Sequence, residues 1–173
     1  MWTEQWTAWD PDESRVEKLG SERRLLLATA CLNDAIQFYT DVSSRKWPHK
    51  IETFIVSFVE LLGHSYEETI GLERELEECM IQANEVGAPP GLCALLEACE
   101  YVRYEGPLST SNTFASMVNS YWVVLDLEVL SKLTTFCDEG QVRVIERQTA
   151  SCVKALNRQL EFLRELEEIT TVR

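Results

Sequence analysis

The segment from residue 51 to residue 86 carries apolar or small side chains at alternating steps of three and four positions. Side chains with this spacing lie on one face of an α-helix, so the segment predicts a packed helical seam. An unbroken helix over this range would be ~54 Å long. Gly63 and Gly71 each weaken it by about 1 kcal/mol relative to alanine, and we expect a kink near one of them. The seam comprises Ile55, Phe58, Leu62, Ser65, Thr69, Leu72, Leu76, Cys79, Ala83 and Val86.

Negative charge is concentrated in the same part of the chain. Residues 51–100 contain eleven glutamates and one arginine, which gives −10 of the chain's net charge of −13. Because these acids alternate with the apolar seam, they predict the solvent face of a helix and not a disordered tail. Nucleic acids and anionic membranes require a basic surface, so we expect neither as a partner. A protein with a basic surface is the partner that this charge favours.

The first helix is predicted to begin near Asp10 and Pro11, which suit an N-cap and the first helical position. It should run towards Ser44 and end before Trp47 and Pro48, with Gly20 as a break or kink near its start. Its predicted core stripe consists of Val16, Leu19, Leu25, Leu26, Leu32, Ile36, Tyr39 and Val42.

Three further helices are predicted in the second half of the chain. Residues 87–91 contain two glycines and two prolines and should end the helix that precedes them, so residues 92–104 form a shorter helix. Residues 112–136, approximately, are apolar on every face and should form the central helix, capped by one of three hydroxyl side chains at 109–111. A last helix should follow Gly140. Its predicted seam is Val142, Ile145, Thr149, Cys152, Leu156, Gln159, Leu163 and Leu166.

These patterns predict an all-α fold, because the chain contains no run of alternating polar and apolar residues long enough for a sheet. Its 173 residues suffice for one domain with a real core. We expect residues 1–173 to form a single antiparallel helical bundle of about five helices, with residues 112–136 at its centre.

The six cysteines are scattered, and no two of them form a C-x-x-C pair. Most fall on apolar stripes of predicted helices, where a thiol behaves as a small hydrophobic group. The residues after Met1 are polar and aromatic and do not resemble a secretory signal. The sequence therefore predicts reduced thiols and a cytoplasmic protein.

Several carboxylates and one histidine have a spacing that could suit a metal ion. One helical face carries Glu60, His64 and Glu68, and two Glu-x-x-Glu pairs follow. Such groups could serve a helical-bundle enzyme with a di-metal site or Mg²⁺-dependent nucleotide hydrolysis. However, the Glu-Glu-x-x-Glu run of the all-helical nucleotide pyrophosphohydrolases is missing, so a solvated polar face is favoured. No catalytic residue or cofactor is predicted; the candidate ligands are Glu60, His64, Glu75, Glu78, Glu97 and Glu100.

Two groups of residues are candidates for binding a partner. An acidic surface could steer a basic protein, although it could equally pair internally with Arg143, Arg147, Lys154 and Arg158 of the last helix. The segment 1–9 carries three tryptophans at helical spacing, which could anchor a partner or cover the protein's own bundle. The candidate partner-binding residues are Glu67, Glu68, Glu75, Glu78, Trp2, Trp6 and Trp9.

The sequence therefore predicts a non-enzymatic, acidic helical protein that binds another protein, as an adaptor, an inhibitor or immunity-type protein, or a subunit of a larger assembly. A carboxylate-dependent metalloenzyme is the alternative. The apolar seam of residues 51–86 could also form a homodimer interface.

Overall fold

The computed structural model describes residues 13–42, 48–64, 71–102, 108–135 and 137–169, and these residues are helical without any strand. The predicted all-α fold is thereby confirmed. The described residues form eight α-helices, more than the five that were predicted. They are α1 (Glu13–Glu17), α2 (Ser21–Val42), α3 (His49–His64), α4 (Glu73–Glu85), α5 (Pro90–Val102), α6 (Thr110–Glu128), α7 (Glu139–Gln148) and α8 (Ala150–Glu168).

Helix α6 lies at the centre and contacts α1, α2, α5 and α8. This confirms the predicted central helix, although its bounds differ from the predicted 112–136. Ser109 caps its start by accepting a hydrogen bond from the Asn112 backbone N–H at 3.1 Å. The helix ends at Glu128 because Val129 leaves helical geometry, with φ −123° and ψ −67°, and a short 3₁₀ turn follows.

Helix α5 runs antiparallel to α6. At one end, the Gly91 backbone N–H donates to the Asp126 carboxylate at 2.8 Å. Two turns further along α5, the Ser116 hydroxyl donates to the Ala98 carbonyl at 3.3 Å. The residue numbers of α5 increase from the first contact to the second, whereas those of α6 decrease, so the two helices are antiparallel.

Helix α2 runs parallel to α6. Near the start of both helices, Arg24 donates to the Thr110 hydroxyl at 2.6 Å, and further along Cys31 packs in the same apolar cluster as Met117. Since the residue numbers rise in the same direction along both helices, α2 and α6 are parallel.

Helix α8 closes the bundle against α2 in the antiparallel sense. Arg23 donates to the Leu166 carbonyl at 3.3 Å, and Arg158 lies 3.5 Å from Asp34. Arg15 of α1 makes a bidentate pair with Glu167, with N–O distances of 2.8 and 2.6 Å. These hydrogen bonds lower the pKa of the Glu167 carboxyl and tie the first helix to the last.

The prediction of one long helix over residues 51–86 is wrong. Lys50 forms an ion pair with Glu78, although 28 positions separate them. On a continuous helix those residues would lie ~42 Å apart. Helices α3 and α4 are therefore separate, and α4 lies against α3. Predicted seam members still pack in both helices, namely Ile55, Phe58, Leu72, Leu76, Cys79 and Ala83.

Two predicted core positions are exposed. Leu26 is 54% exposed, whereas its neighbour Leu27 is fully buried. The break before Ser21 separates α1 from α2, so the stripe of α1 does not continue in phase into α2. Val86 is 58% exposed, because α4 ends at Glu85 and the chain turns away through Gly87, whose φ is +61°.

The predicted last helix is divided into α7 and α8 at Thr149, which has extended backbone angles. Its predicted seam nevertheless faces the interior in both parts, with Val142, Cys152, Gln159 and Leu163 buried. Asp138 and Gln141 form a reciprocal capping box that fixes the start of α7.

All six cysteines are described, and each of them is a free thiol. Four are buried, as expected for residues on apolar stripes. None of the helices in the described parts of the chain is long and apolar enough to span a membrane.

Candidate functional sites

The predicted metal ligands do not meet in the part of the chain that the structure describes. No group of three His, Cys, Asp or Glu side chains there is placed to hold a metal ion. Glu60 and Glu97 are exposed, and Glu78 is engaged by Lys50 and Arg74. Glu75 keeps one buried carboxylate oxygen without a hydrogen-bond partner. The side chains of His64 and Glu68 lie outside the described residues.

The predicted partner-binding residues are only partly described. Trp2, Trp6, Trp9, Glu67 and Glu68 lie outside the described residues, so those predictions stay predictions. Glu75 and Glu78 lie on α4, and both ion pairs of Glu78 are with cations from its own region of the chain, Lys50 of α3 and Arg74 of α4.

An apolar groove lies between α5 and α6, with a volume of about 740 Å³. Aromatic side chains line it from both helices, together with small residues. We call this site the α5–α6 groove; its principal lining residues are Cys93, Glu97, Tyr101, Phe114, Ala115, Val118 and Trp122. Apolar walls that carry a few polar groups are typical of binding sites.

Among the described residues that line the α5–α6 groove, Glu97 is the only one with a charged side chain. Although the residue as a whole is exposed, partial burial of its carboxyl raises its pKa, and the neighbouring Glu100 adds to the effect. The groove therefore holds a carboxylate whose negative charge is disfavoured in the free protein. A cation placed beside it would relieve that cost.

We expect Glu97→Gln to raise the melting temperature at neutral pH. A carboxyl with a raised folded-state pKa binds its proton more tightly in the folded protein than in the unfolded chain. Its contribution to stability is therefore complete below the unfolded pKa of about 4.3 and is lost as the pH rises through the folded value. The gain from glutamine should be largest at pH 7 and should vanish near pH 4 in thermal unfolding followed by circular dichroism.

Glu52→Gln provides the matched comparison, with the opposite sign. Glu52 lies in the first turn of α3, where a carboxylate interacts favourably with the positive end of the helix. Its loss should lower stability at pH 7 by about 0.3–1 kcal/mol. A Glu97→Gln variant that is equally stable or less stable than the wild type at pH 7 would contradict the desolvation of Glu97.

A second site is a partly open cavity of about 360 Å³ between α2, α6 and α8. We call it the three-helix cavity. Its apolar wall includes Ala35, Phe38, Val124 and Ala155, and polar side chains lie at its inner end and rim.

Two polar side chains of the three-helix cavity are buried without satisfying their hydrogen-bonding capacity. Ser120 is 2% exposed, and its hydroxyl has no partner; Gln159 is 5% exposed, and its Oε1 has none. The Gln159 amide is oriented by its Nε2, which donates to the Met117 carbonyl at 3.0 Å. Since that carbonyl can only accept, the unpartnered atom is the amide oxygen. A buried polar atom without a partner costs about 1–3 kcal/mol.

The rim of the three-helix cavity carries balanced charge. Asp34 pairs with Arg158, while Lys154 has no ion pair with any described residue. Asp41 accepts a hydrogen bond from the neutral amide of Gln37 at 2.8 Å and likewise has no ion pair with a described residue. The charge of Lys154 also favours the Asp34 carboxylate, whose pKa burial raises, although the two side chains form no ion pair. The rim thus carries one cation, Lys154, and one carboxylate, Asp41, that have no ion pair with a described residue.

The Cys31 thiol and the Tyr121 phenol, which line the three-helix cavity, are unsuited to nucleophilic chemistry. Burial raises the pKa of the Cys31 thiol well above its usual range, and it also raises the pKa of the Tyr121 hydroxyl, which donates to Glu146. Beside Tyr121, burial raises the pKa of Cys152 to about 11. These groups are protonated at neutral pH, so the arrangement suits binding of a ligand more than bond formation.

Comparisons with protein-family models, curated proteins and solved structures give no match for this chain. Sequence reasoning also missed both sites, because their lining residues come from separate helices. Two residues gave a local indication of the three-helix cavity. Gln159 is a polar residue within the apolar seam of the last helix, and Ser120 lies inside the most apolar helix. Polar residues at core positions require partners, and that requirement could have drawn attention to the three-helix cavity.

Proposed function

We propose that this protein binds a basic, amphipathic helical segment of another protein in the α5–α6 groove, as an adaptor, an inhibitor or a subunit of a larger assembly. The observation that carries the proposal is the placement of Glu97, a desolvated carboxylate, in a groove lined by Tyr101, Phe114 and Trp122. Aromatic side chains in a groove receive the apolar face of a helix, and the carboxylate selects a cation on its flank.

The charge around the groove supports a basic partner. Helix α4 packs against α5 and carries five of the chain's glutamates, at positions 73, 75, 77, 78 and 85. Since the region from 51 to 100 has a net charge of −10, its field would attract a cationic segment and orient it before docking. Association should slow as salt rises, because exposed charges are screened beyond ~8 Å at physiological ionic strength.

The alternative explanation of the acidic surface is that its glutamates form ion pairs with basic residues of the last helix. The described contacts favour a basic partner over this alternative. Helix α4 belongs to the apolar cluster formed with α2, α3 and α5, whereas α8 packs in the two other clusters. Glu78 pairs with Lys50 and Arg74, and Arg158 pairs with Asp34 and Glu161. Neither Glu78 nor Arg158 therefore forms an ion pair that joins α4 to α8. The free thiols of the chain favour the cytoplasm as the setting.

The test uses two synthetic helical peptides with the same leucine pattern at i, i+3, i+4 and i+7. One carries lysines at the remaining positions, and the other carries glutamates. We expect the basic peptide to bind with a Kd of about 10 μM or below, and the acidic peptide to bind at least about 100-fold more weakly. Isothermal titration calorimetry at two salt concentrations measures both affinities.

Ala115 can be substituted to change the groove without changing a buried core residue. It is half-buried on α6 and lines the groove, so Ala115→Glu and Ala115→Arg both place a long side chain where the peptide would lie. We expect both variants to weaken the basic peptide at least about tenfold, and arginine to weaken it more because its charge repels lysine. Leu26→Ala, at an exposed apolar position away from the groove, should leave the affinity unchanged.

The outcome with Ala115→Glu distinguishes docking from general attraction to an acidic protein. A non-specific electrostatic complex would bind the Ala115→Glu variant at least as tightly as the wild type, because the variant has one more negative charge. That result, or equal affinity for the two peptides, would overturn the proposed function.

A further inference from the structure

The three-helix cavity lies on the α2–α8 side of α6 and has no part in the proposed peptide groove. It brings together an apolar wall, two buried polar atoms that lack partners, and a rim with two opposite charges that have no ion pair with any described residue. Pockets of this kind, largely apolar with a few convergent polar groups, are characteristic of small-molecule sites. Each of the three features restricts the chemistry of the molecule that would fit.

The two buried polar atoms specify a hydroxyl group at the inner end of the ligand. Gln159 Oε1 can only accept a hydrogen bond, so the ligand must present a donor to it. The Ser120 hydroxyl can donate as well as accept. A hydroxyl is the ligand group that can both donate to Gln159 and accept from Ser120. An ammonium group would fit less well, because neither of these two protein groups is charged.

The wall and the rim specify the rest of the ligand. Phe38, Val124 and Ala155 favour a flat apolar body, such as an aromatic ring. At the rim, Lys154 suits a carboxylate and Asp41 suits an ammonium group, since neither has an ion pair with a described residue. A zwitterion also matches the rim as a whole, where Asp34 and Asp41 balance Lys154 and Arg158.

We propose that the three-helix cavity binds a small zwitterion with a hydroxylated aromatic body, of the chemical class of a phenolic amino acid. The hydroxyl lies between Ser120 and Gln159, the ring lies against Phe38, and the amino-acid group lies at the rim. Binding satisfies the two buried polar atoms, so it should also stabilise the fold.

Four probes separate the contributions of the three groups. L-Tyrosine carries all of them, L-phenylalanine lacks the hydroxyl, tyramine lacks the carboxylate, and 3-(4-hydroxyphenyl)propionate lacks the ammonium group. We expect L-tyrosine to bind with a Kd at or below about 1 mM, and each of the other probes to bind at least about fivefold more weakly. Chemical-shift titration of the ¹⁵N-labelled full chain measures the affinities and shows whether residues of α2, α6 and α8 respond together.

Two variants test the assigned contacts. Ser120→Ala removes a hydroxyl that has no partner in the free protein, so the variant should fold at least as stably as the wild type. It should weaken L-tyrosine about fivefold and leave L-phenylalanine unchanged, which a merely structural serine would not do. Lys154→Gln, on the exposed rim, should weaken both amino acids and leave tyramine unchanged. Arg164→Gln, the same charge change on α8 outside the cavity, should alter none of the affinities.

Absence of binding by all four probes would overturn the proposal. Equal affinities for L-tyrosine and L-phenylalanine would overturn the assignment of the hydroxyl, as would a Ser120→Ala variant that binds both amino acids normally. Because α5–α6 groove residues are unchanged in these variants, the proposed peptide binding stands or falls separately.

Discussion

Leu27→Ala is expected to lower the free energy of unfolding by about 2–5 kcal/mol, whereas Leu26→Ala should change it by less than about 1 kcal/mol. Leu27 is fully buried and belongs to a cluster with Val16, Met117 and Leu163. Its truncation removes apolar burial and leaves a cavity between α1, α6 and α8. Leu26 is 54% exposed, so truncation there leaves no enclosed space.

The two substitutions are closely matched, because they change the same residue type at adjacent positions of one helix. Helix propensity therefore contributes equally to both, and the difference reports burial alone. Urea unfolding followed by circular dichroism gives both free energies. If the two variants lost equal stability, or Leu26→Ala lost more, the rotational phase of α2 described above would be wrong.

This pair of residues also shows why the sequence could not specify the packing of α2. Leu25, Leu26 and Leu27 are all apolar, so a period of 3.6 residues fits more than one rotational phase. The predicted stripe continued from Val16 and Leu19 across Gly20. The break before Ser21 uncouples the two parts, and only tertiary contacts with α6 and α8 determine which leucine is buried.

The error over residues 51–86 has a different physical origin. Steps of three and four positions show that each part of the segment has an apolar face, and both α3 and α4 do pack by such faces. The same steps do not show that the two parts share an axis. Two separate helices that pack against each other have the same pattern as one long helix, and Lys50 of α3 then reaches Glu78 of α4.

The central helix could be predicted because its apolar composition does not depend on how the neighbouring helices are oriented. A helix that is apolar on every face must be surrounded by other helices, whatever their order. The α5–α6 groove and the three-helix cavity could not be predicted in this way, because each of them depends on which faces of separate helices meet. Gln159 and Ser120 were visible in the sequence as polar residues in apolar surroundings, but their shared lack of partners is a property of the packing of α6 against α8.

Gly91→Ala should lower the free energy of unfolding by about 2–3 kcal/mol, because the position has no room for a methyl group. A Cβ at residue 91 would lie 2.9 Å from Asp126 Oδ2 and 3.3 Å from Asp126 Cβ. The Gly91 backbone N–H donates to that same buried carboxylate, so the side chain cannot withdraw without losing the hydrogen bond at the start of α5. Gly20→Ala is the control. It meets nothing within 4 Å and should be neutral or stabilising.

A double-mutant cycle with Asp126→Ala tests the mechanism of this loss. Asp126→Ala alone should be destabilising by about 1–3 kcal/mol, because it leaves the N–H of Gly91 without its acceptor in the first turn of α5. In that background, the carboxyl atoms at 2.9 and 3.5 Å are gone and the contact with the Cβ of residue 126 at 3.3 Å remains. The further cost of Gly91→Ala should therefore fall below about 1 kcal/mol. The two effects should therefore be non-additive by more than about 1 kcal/mol in chemical denaturation. Strict additivity would mean that alanine at position 91 acts through the α5 backbone and not through contact with Asp126, and that the close approach of α5 to α6 at this end of the groove is not enforced by that carboxylate.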